Sequence, residues 1–174
     1  MSTRANIVLK QNIDAYKEAH PDYTEDGAEI WLYHHSDGYL SYLGKYLVDF
    51  MRNYYVPGQC RPYIEDVATA LVKGVTKDQW AGRNEQEWLD DDSFEVTTGQ
   101  HGDIEYLYTI EEIWDKDDRM TAVQLYAKHL SSGIKELLME ATREDDGWHT
   151  FECTLWQDMD DMIDDYYRKD DEEE

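Results

Sequence analysis

The sequence predicts an α+β domain in which a mostly antiparallel sheet is covered by amphipathic helices. In several segments apolar residues recur at intervals of three and four, which is typical of helices packed on a core. Other segments are short, rich in β-branched or aromatic residues and bounded by turn residues, which is typical of strands. With 174 residues, 41% hydrophobic and 13% aromatic, the chain has the length and composition of one such domain.

The first half of the chain is predicted to contain two strands followed by two helices. Residues 5–10 and 28–34 form short apolar runs separated by a polar connection, and each predicts a strand. Between residues 40 and 55 the apolar side chains share one helical face, and Pro57 ends that helix. A second helical face covers residues 64–75.

The second half is predicted to begin with a meander of strands. Residues 94–98 and 104–110 are β-branched and aromatic, and the glycine-containing segment 99–102 between them predicts a hairpin turn. Residues 121–127 are predicted as the third strand of the meander, although the same residues could open a helix. The remaining predicted elements are a helix over 134–141, a strand over 148–154 and an amphipathic helix over 155–166.

A single domain over residues 1–169 is expected, followed by a disordered acidic tail over 170–174. Cys60 and Cys153 are far apart and show no CxxC or zinc-finger spacing, so neither a disulfide framework nor a structural zinc is indicated. No apolar run approaches the roughly 18 residues of a membrane span. We therefore expect a soluble cytoplasmic protein without a metal ion or cofactor.

The acidic residues are unevenly distributed along the chain. Residues 85–174 carry 29 Asp or Glu against 7 Lys or Arg, whereas residues 1–84 carry 11 against 9. Because such self-repulsion destabilises a fold, we interpret the excess as a surface that attracts a basic partner. A halophilic origin would instead enrich acids over the whole chain. Direct binding to DNA or RNA is disfavoured, since no basic patch is visible to overcome phosphate repulsion.

Part of this acidity falls on the last predicted helix. Asp158, Asp161 and Asp165 lie on its outer face, with Asp160 and Asp164 beside them. Carboxylates at this spacing can present negative charge much as a nucleic-acid backbone does. The acids that could extend the surface, if the fold brings them to one side, are Glu85, Glu87, Asp90, Asp91, Asp92, Glu111, Glu112, Asp115, Asp117 and Asp118.

Each acidic run has simpler interpretations. A solvated face that keeps the protein soluble is the ordinary explanation for any single run. The segment 115–118 could also suggest calcium binding, but it lacks the glycine and the final glutamate of an EF-hand loop. Non-specific association of cations is the better interpretation there.

A second candidate site is the segment 34–39, His-His-Ser-Asp-Gly-Tyr, between a predicted strand and the first long helix. His34, His35, Asp37 and Tyr39 could form a metal or acid–base site. Alternatively, Asp37 or the preceding serine could cap the helix. Because side chains alternate along a strand, His34 and His35 are predicted on opposite faces and are poorly placed to share a metal ion.

The same segment carries a resemblance. Residues 2–7, Ser-Thr-Arg-Ala-Asn-Ile, and residues 31–39, Trp-Leu-Tyr-His-His-Ser-Asp-Gly-Tyr, together with Gly44, resemble a group of small uncharacterised proteins from bacteria and their phages. Those proteins begin with a Ser/Gly-Thr-Arg segment and follow a strand with a His-x-x-Asp-Gly-Tyr-Pro turn. Here Leu40 stands in place of that proline. The resemblance implies a phage or mobile-element context and no catalytic residues.

These observations lead to one main hypothesis and two alternatives. The main hypothesis is a phage or mobile-element protein in the host cytoplasm that inhibits a host defence complex by occupying its basic nucleic-acid-binding surface. Acidic anti-CRISPR and anti-restriction proteins are similar in charge and context only. One alternative is a small enzyme or ligand-binding domain with its site at residues 34–39, although no enzyme signature is present. The other is an assembly protein, such as a homodimer, that uses exposed aromatic residues.

Overall fold

The computed structural model describes residues 3–35, 37–57, 61–73 and 94–172. The strands are β1 (Ala5–Asn12), β2 (Glu29–His34), β3 (Glu95–Thr97), β4 (Tyr106–Trp114), β5 (Met120–His129), β6 (Lys135–Glu144) and β7 (Gly147–Glu152). The α-helices are α1 (Asp14–Ala19), α2 (Lys45–Tyr54), α3 (Ile64–Lys73) and α4 (Met159–Glu172). A π-helical turn, Leu40–Gly44, precedes α2, and a 3-10 turn, Thr154–Asp158, precedes α4. None of the helices in these ranges is long and apolar enough to cross a membrane.

The strands form one seven-stranded sheet in the order β3-β2-β1-β4-β5-β6-β7. All neighbouring strands are antiparallel except β1 and β4, which run parallel at the centre with Ala5 opposite Tyr106 and Asn12 opposite Ile113. The predicted α+β class, with a mostly antiparallel sheet and helices packed on it, is confirmed.

The helices bury one face of the sheet. Ile7 and Leu9 on β1 lie beside Tyr108 and Ile110 on β4, and all four are completely buried. The helical residues that share this core are Leu47 and Met51 of α2, Val67 and Leu71 of α3, and Met159 and Ile163 of α4. Side chains on the other face of β4, such as Thr109 and Glu111, are only partly buried, as expected for an antiparallel sheet with one open face.

The hairpin predicted between residues 94–98 and 104–110 is wrong. Both segments contain strands, but β3 pairs with β2, whereas β4 pairs with β1 and β5. Strand β1 therefore lies between β2 and β4. The segment predicted as the hairpin turn contacts β1 instead, since the backbone N–H of His101 donates to Asn6 Oδ1 at 2.8 Å. A buried strand such as β4 needs partners along its whole length, and β3, with three residues, is too short to supply one.

The helix predicted over residues 134–141 is also wrong, because this segment is strand β6. The pairing register shifts between Leu125 and Tyr126, whose partners are Met139 and Leu137, so Leu138 is an extra residue in a β-bulge. Consecutive Leu138 and Met139 are both fully buried as a result. The bulge breaks the alternation of a strand and produces apolar spacings that imitate a helix.

The other predicted strands and helices are confirmed, with shifts at their ends. Helix α1 was not predicted; it contains no buried residue, so it leaves no apolar stripe in the sequence. The disordered tail was predicted to begin at residue 170, but α4 continues to Glu172. Once a helix has formed, adding residues to its end costs little.

Candidate acidic interface

The exposed acids of α4 and of the turn before it form a group that we call the helix cluster. It consists of Asp158, Asp160, Asp161, Asp164 and Asp165. Met159 and Ile163 on the opposite side of α4 are buried in the core, and this packing directs the acidic face toward solvent. Arg168 Nη1 lies 3.3 Å from Asp165 Oδ1, which is the one ion pair made by the described side chains of the cluster.

The charges of the helix cluster repel one another. Asp160 remains partly shielded from water beside the core, and this partial burial raises its pKa, which the charges of Asp164 and Asp161 raise further. His129 on β5 is the basic group that opposes this shift. Repulsion of this kind costs free energy in the isolated protein and is relieved when a cationic partner binds.

Apolar and aromatic side chains border the helix cluster. Met162, Tyr166 and Tyr167 are 42%, 37% and 45% exposed. The Tyr167 ring is anchored edge-on against His129, with ring centroids 6.0 Å apart. Large side chains beside a charged row are the residue types that supply most of the binding energy at protein interfaces.

The second predicted group, which we call the turn cluster, is Asp115, Asp117 and Asp118 in the β4–β5 turn. Asp115 Oδ1 accepts hydrogen bonds from the backbone N–H groups of Asp117 at 2.8 Å and Arg119 at 3.0 Å. Burial opposes ionisation of Asp115, but these bonds and the Arg119 charge outweigh it, so the pKa of Asp115 is lowered. The turn cluster is partly neutralised, since Arg119 pairs with Asp115 and Asp117, and Lys116 also pairs with Asp117.

Glu111 and Glu112 do not extend an acidic surface, which corrects the sequence prediction. Glu111 Oε1 pairs with Lys10 Nζ across the sheet at 2.9 Å. Glu112 points into the covered face and is fully buried. Burial raises its pKa to about 7, against the opposing effect of the hydrogen bond that Trp114 donates. An alternating strand must send two consecutive residues to opposite faces.

The structure does not bring the helix cluster and the turn cluster together. Tyr106 is the first residue of β4, and its pKa is raised by burial and by the charge of Asp160, so Asp160 lies near this end of the strand. The turn cluster follows Trp114, the last residue of β4. A strand of nine residues spans roughly 26 Å. The predicted Asp90, Asp91 and Asp92, like Glu85 and Glu87, lie outside the described residues.

One acidic group near the turn cluster was not predicted. Glu144 and Asp145, at the turn between β6 and β7, line a polar cleft of about 580 Å³ together with Asp115 and Arg119. The acidic run is visible in the sequence, but its position beside the turn cluster depends on the sheet order. A second cleft, of about 490 Å³, adjoins the helix cluster at Asp160 and is lined by Lys45 and Arg52 of α2.

The residues of the segment 34–39 point in different directions. His34 is fully buried, whereas His35 is exposed and its Nε2 lies 3.0 Å from Glu95 Oε2. The prediction that the two histidines lie on opposite faces is confirmed. Asp37 has a φ of 52° and is exposed, and Tyr39 is 38% exposed. Asp37 does not cap the following helical turn, because Tyr39 occupies its N-cap position and no side-chain cap bond is made there. The other capping candidate, Ser36, lies outside the described residues.

The turn at Gly38 packs against the start of β1 and against Tyr108 of β4. The N–H of Gly38 donates to the Thr3 carbonyl at 2.9 Å, and the Gly38 carbonyl accepts from the Tyr108 hydroxyl at 2.8 Å. A Cβ at Gly38 would lie 2.8 Å from the Cβ of Ala5. The Asp-Gly pair therefore lets the chain pass close to the start of β1.

Comparison with protein-family models, curated proteins and solved structures found no match for this chain.

Proposed function

We propose that this protein is a phage or mobile-element inhibitor of a host defence complex. The helix cluster on α4 would occupy a basic surface that normally holds nucleic acid, and the inhibition would be steric and electrostatic. The observation that carries the proposal is the exposed, largely unpaired row of carboxylates on a helix whose opposite side is anchored in the core.

The density of charge supports this proposal. Five carboxylates lie between Asp158 and Asp165, a length of roughly 11 Å at the rise of a helix. This corresponds to about one negative charge per 2 Å, close to the value of about 1.7 Å per charge along duplex DNA. A groove lined with Lys and Arg would be attracted by the same long-range field in both cases.

The proposal assigns docking to the helix cluster and not to the turn cluster. The turn cluster carries its own counter-charges and uses Asp115 to close the turn. It also lies roughly 26 Å from the helix cluster by the length of β4, so it would contact only a large partner. It contributes to the long-range field without being needed for docking.

The test is capture of partners from a host lysate by the tagged full chain at low and moderate salt, with identification by mass spectrometry. We expect one nucleic-acid-binding complex, released by added DNA or RNA. The variant Asp158→Asn, Asp161→Asn, Asp165→Asn should lose this capture. The matched control, Asp117→Asn, Asp118→Asn, Asp145→Asn, removes the same charge elsewhere and should retain it. Equal capture by both variants would exclude α4 as the docking surface.

The alternative of an enzyme or ligand site at residues 34–39 stays a prediction. Its candidate groups are separated, since His34 is buried in the covered face and His35 pairs with Glu95 in solvent. Loss of an activity in Asp37→Ala with an intact fold would be needed to support it. Self-association through the exposed aromatic residues likewise stays a prediction, which sizing chromatography can test.

A further inference from the structure

The turn between β6 and β7 carries a cluster of mixed nitrogen and oxygen donors. Glu144, Asp146 and His149 each place one potential ligand atom within 4.8 Å of the other two. His149 Nε2 is already 2.6 Å from Asp146 Oδ1. No other group of three such ligands occurs among the residues that the structure describes.

The strand register holds these side chains on one side of the hairpin. His149 pairs with Thr142, and Glu144 pairs with Gly147. Since side chains alternate along each strand, Glu144 and His149 project from the same face as diagonal neighbours. Asp146, in the tight turn between the strands, reaches back to the imidazole. Glu144 and His149 therefore lie on two paired strands, and only Asp146 lies in the turn.

The chemistry of this donor set suits a first-row transition metal. An imidazole with two carboxylates is a ligand combination for Zn²⁺ and its neighbours, whereas Mg²⁺ and Ca²⁺ prefer oxygen ligands alone. Metal–ligand bonds of about 2.0–2.2 Å place neighbouring ligands roughly 3–3.5 Å apart. The exposed side chains of Glu144 and Asp146 can close the remaining distance by rotation.

We propose that Glu144, Asp146 and His149 bind one divalent transition-metal ion, with water completing its coordination. The two carboxylates balance the charge of the ion, and the exposed position of the turn leaves room for the water. This site is independent of the proposed inhibition, because it lies on the turn between β6 and β7 and not on α4.

The test is titration of the untagged full chain with Zn²⁺, measured by calorimetry and by competition with a coloured chelator. We expect one Zn²⁺ per chain at this site. His149→Ala should weaken binding at least about tenfold, because loss of a direct ligand should cost no less than loss of an outer-shell partner. Glu144→Gln should also weaken it. Asp145→Asn, in the same turn, and His20→Ala, at another exposed histidine, are matched controls that should leave the affinity unchanged.

Co²⁺ provides a direct readout of the ligands. Its visible absorption bands should appear with the wild-type chain and be lost in His149→Ala, while circular dichroism shows an unchanged fold. Absence of saturable Zn²⁺ binding would overturn the proposal. Binding that His149→Ala and Glu144→Gln leave undiminished would overturn it equally, by locating the ion elsewhere. Neither result would bear on partner capture through the helix cluster.

Discussion

Trp114 donates its indole N–H to the buried carboxyl group of Glu112, with Nε1 and Oε2 3.0 Å apart. The two residues lie two positions apart on β4, near the start of α3, where the Ile64 backbone also faces the carboxyl group. Burial is the largest influence on Glu112 and raises its pKa to about 7. Glu112, which the sequence suggests as a surface charge, is therefore a buried carboxyl group with a pKa of about 7.

Glu112→Gln should change how stability depends on pH. The folded state holds the Glu112 proton more tightly than the unfolded state, so the contribution of this group to stability is complete below about pH 4.5 and is lost as pH rises toward 7. The variant should be more stable than wild type at pH 8, by up to about 3 kcal/mol, and similar at pH 4.5. Urea denaturation across this range measures the difference. Glu111→Gln, which removes the neighbouring carboxylate on the other face of the sheet, is the control for the loss of one charge.

Gly38→Ala should destabilise the fold. The new Cβ would lie 2.8 Å from the Ala5 Cβ and 3.1 Å from the Arg4 carbonyl carbon, and this backbone and short side chain cannot move aside freely. Overpacking of this kind costs about 1–3 kcal/mol. Gly99→Ala is the matched control, since nothing lies within 4 Å of its added Cβ. Equal midpoints in chemical denaturation for the two variants would contradict the close approach of this turn to β1.

Asp115→Asn should weaken the turn between β4 and β5. The carboxylate accepts two backbone N–H bonds and pairs with Arg119, and these contacts keep the pKa of Asp115 low. Because its folded-state pKa is depressed, the stabilisation is present at neutral pH and is lost as pH falls through that value. The melting temperature of the variant should be lowered at pH 7 and should approach that of wild type in acid. Asp118→Asn should have little effect, since asparagine tolerates the positive φ of that position.

Added salt should raise the melting temperature of the isolated protein. Screening reduces the repulsion that Asp164 and Asp161 exert on Asp160. In Asp161→Asn, Asp164→Asn the melting temperature at low salt should be higher than in wild type, and its increase with salt should be smaller. Differential scanning fluorimetry in a series of NaCl concentrations measures both. An identical salt response in wild type and variant would show that the acids of α4 do not repel one another significantly.

The exposed Met162 and Tyr166 side chains beside the helix cluster should affect the dissociation rate of the complex more than its association rate. If the helix cluster docks on a basic groove, Met162→Ala and Tyr166→Ala should each raise the dissociation rate and leave the association rate nearly unchanged. Neutralising Asp158, Asp161 and Asp165 should instead slow association and reduce its salt dependence. Surface plasmon resonance with the captured partner separates the two rates. Equal effects of both kinds of variant on association would contradict this division.

The periodicity of apolar residues correctly predicted those helices and strands whose pattern depends mainly on their own residues. In α2 and α3 the apolar positions fall on one helical face, and β1 is a continuous apolar run. The acidic face of α4 was predictable for the same reason, since residues three and four apart must be neighbours on a helix. The opposite orientations of His34 and His35 followed from strand alternation in the same way.

Contacts between distant residues decided the rest. Strand β6 was mistaken for a helix because its bulge at Leu138 arises from pairing with β5. Packing on the covered face of the sheet buries Glu112, and the length of β4 separates the helix cluster from the turn cluster. The antiparallel order β4-β5-β6-β7 places the turn between β6 and β7 beside Asp115. Periodicity along a chain reports only which face a residue occupies. Strand order and depth of burial depend on the free energy of the whole sheet. For this reason the sequence alone determined the acidic face of α4, whereas the tertiary structure determined its separation from the turn cluster.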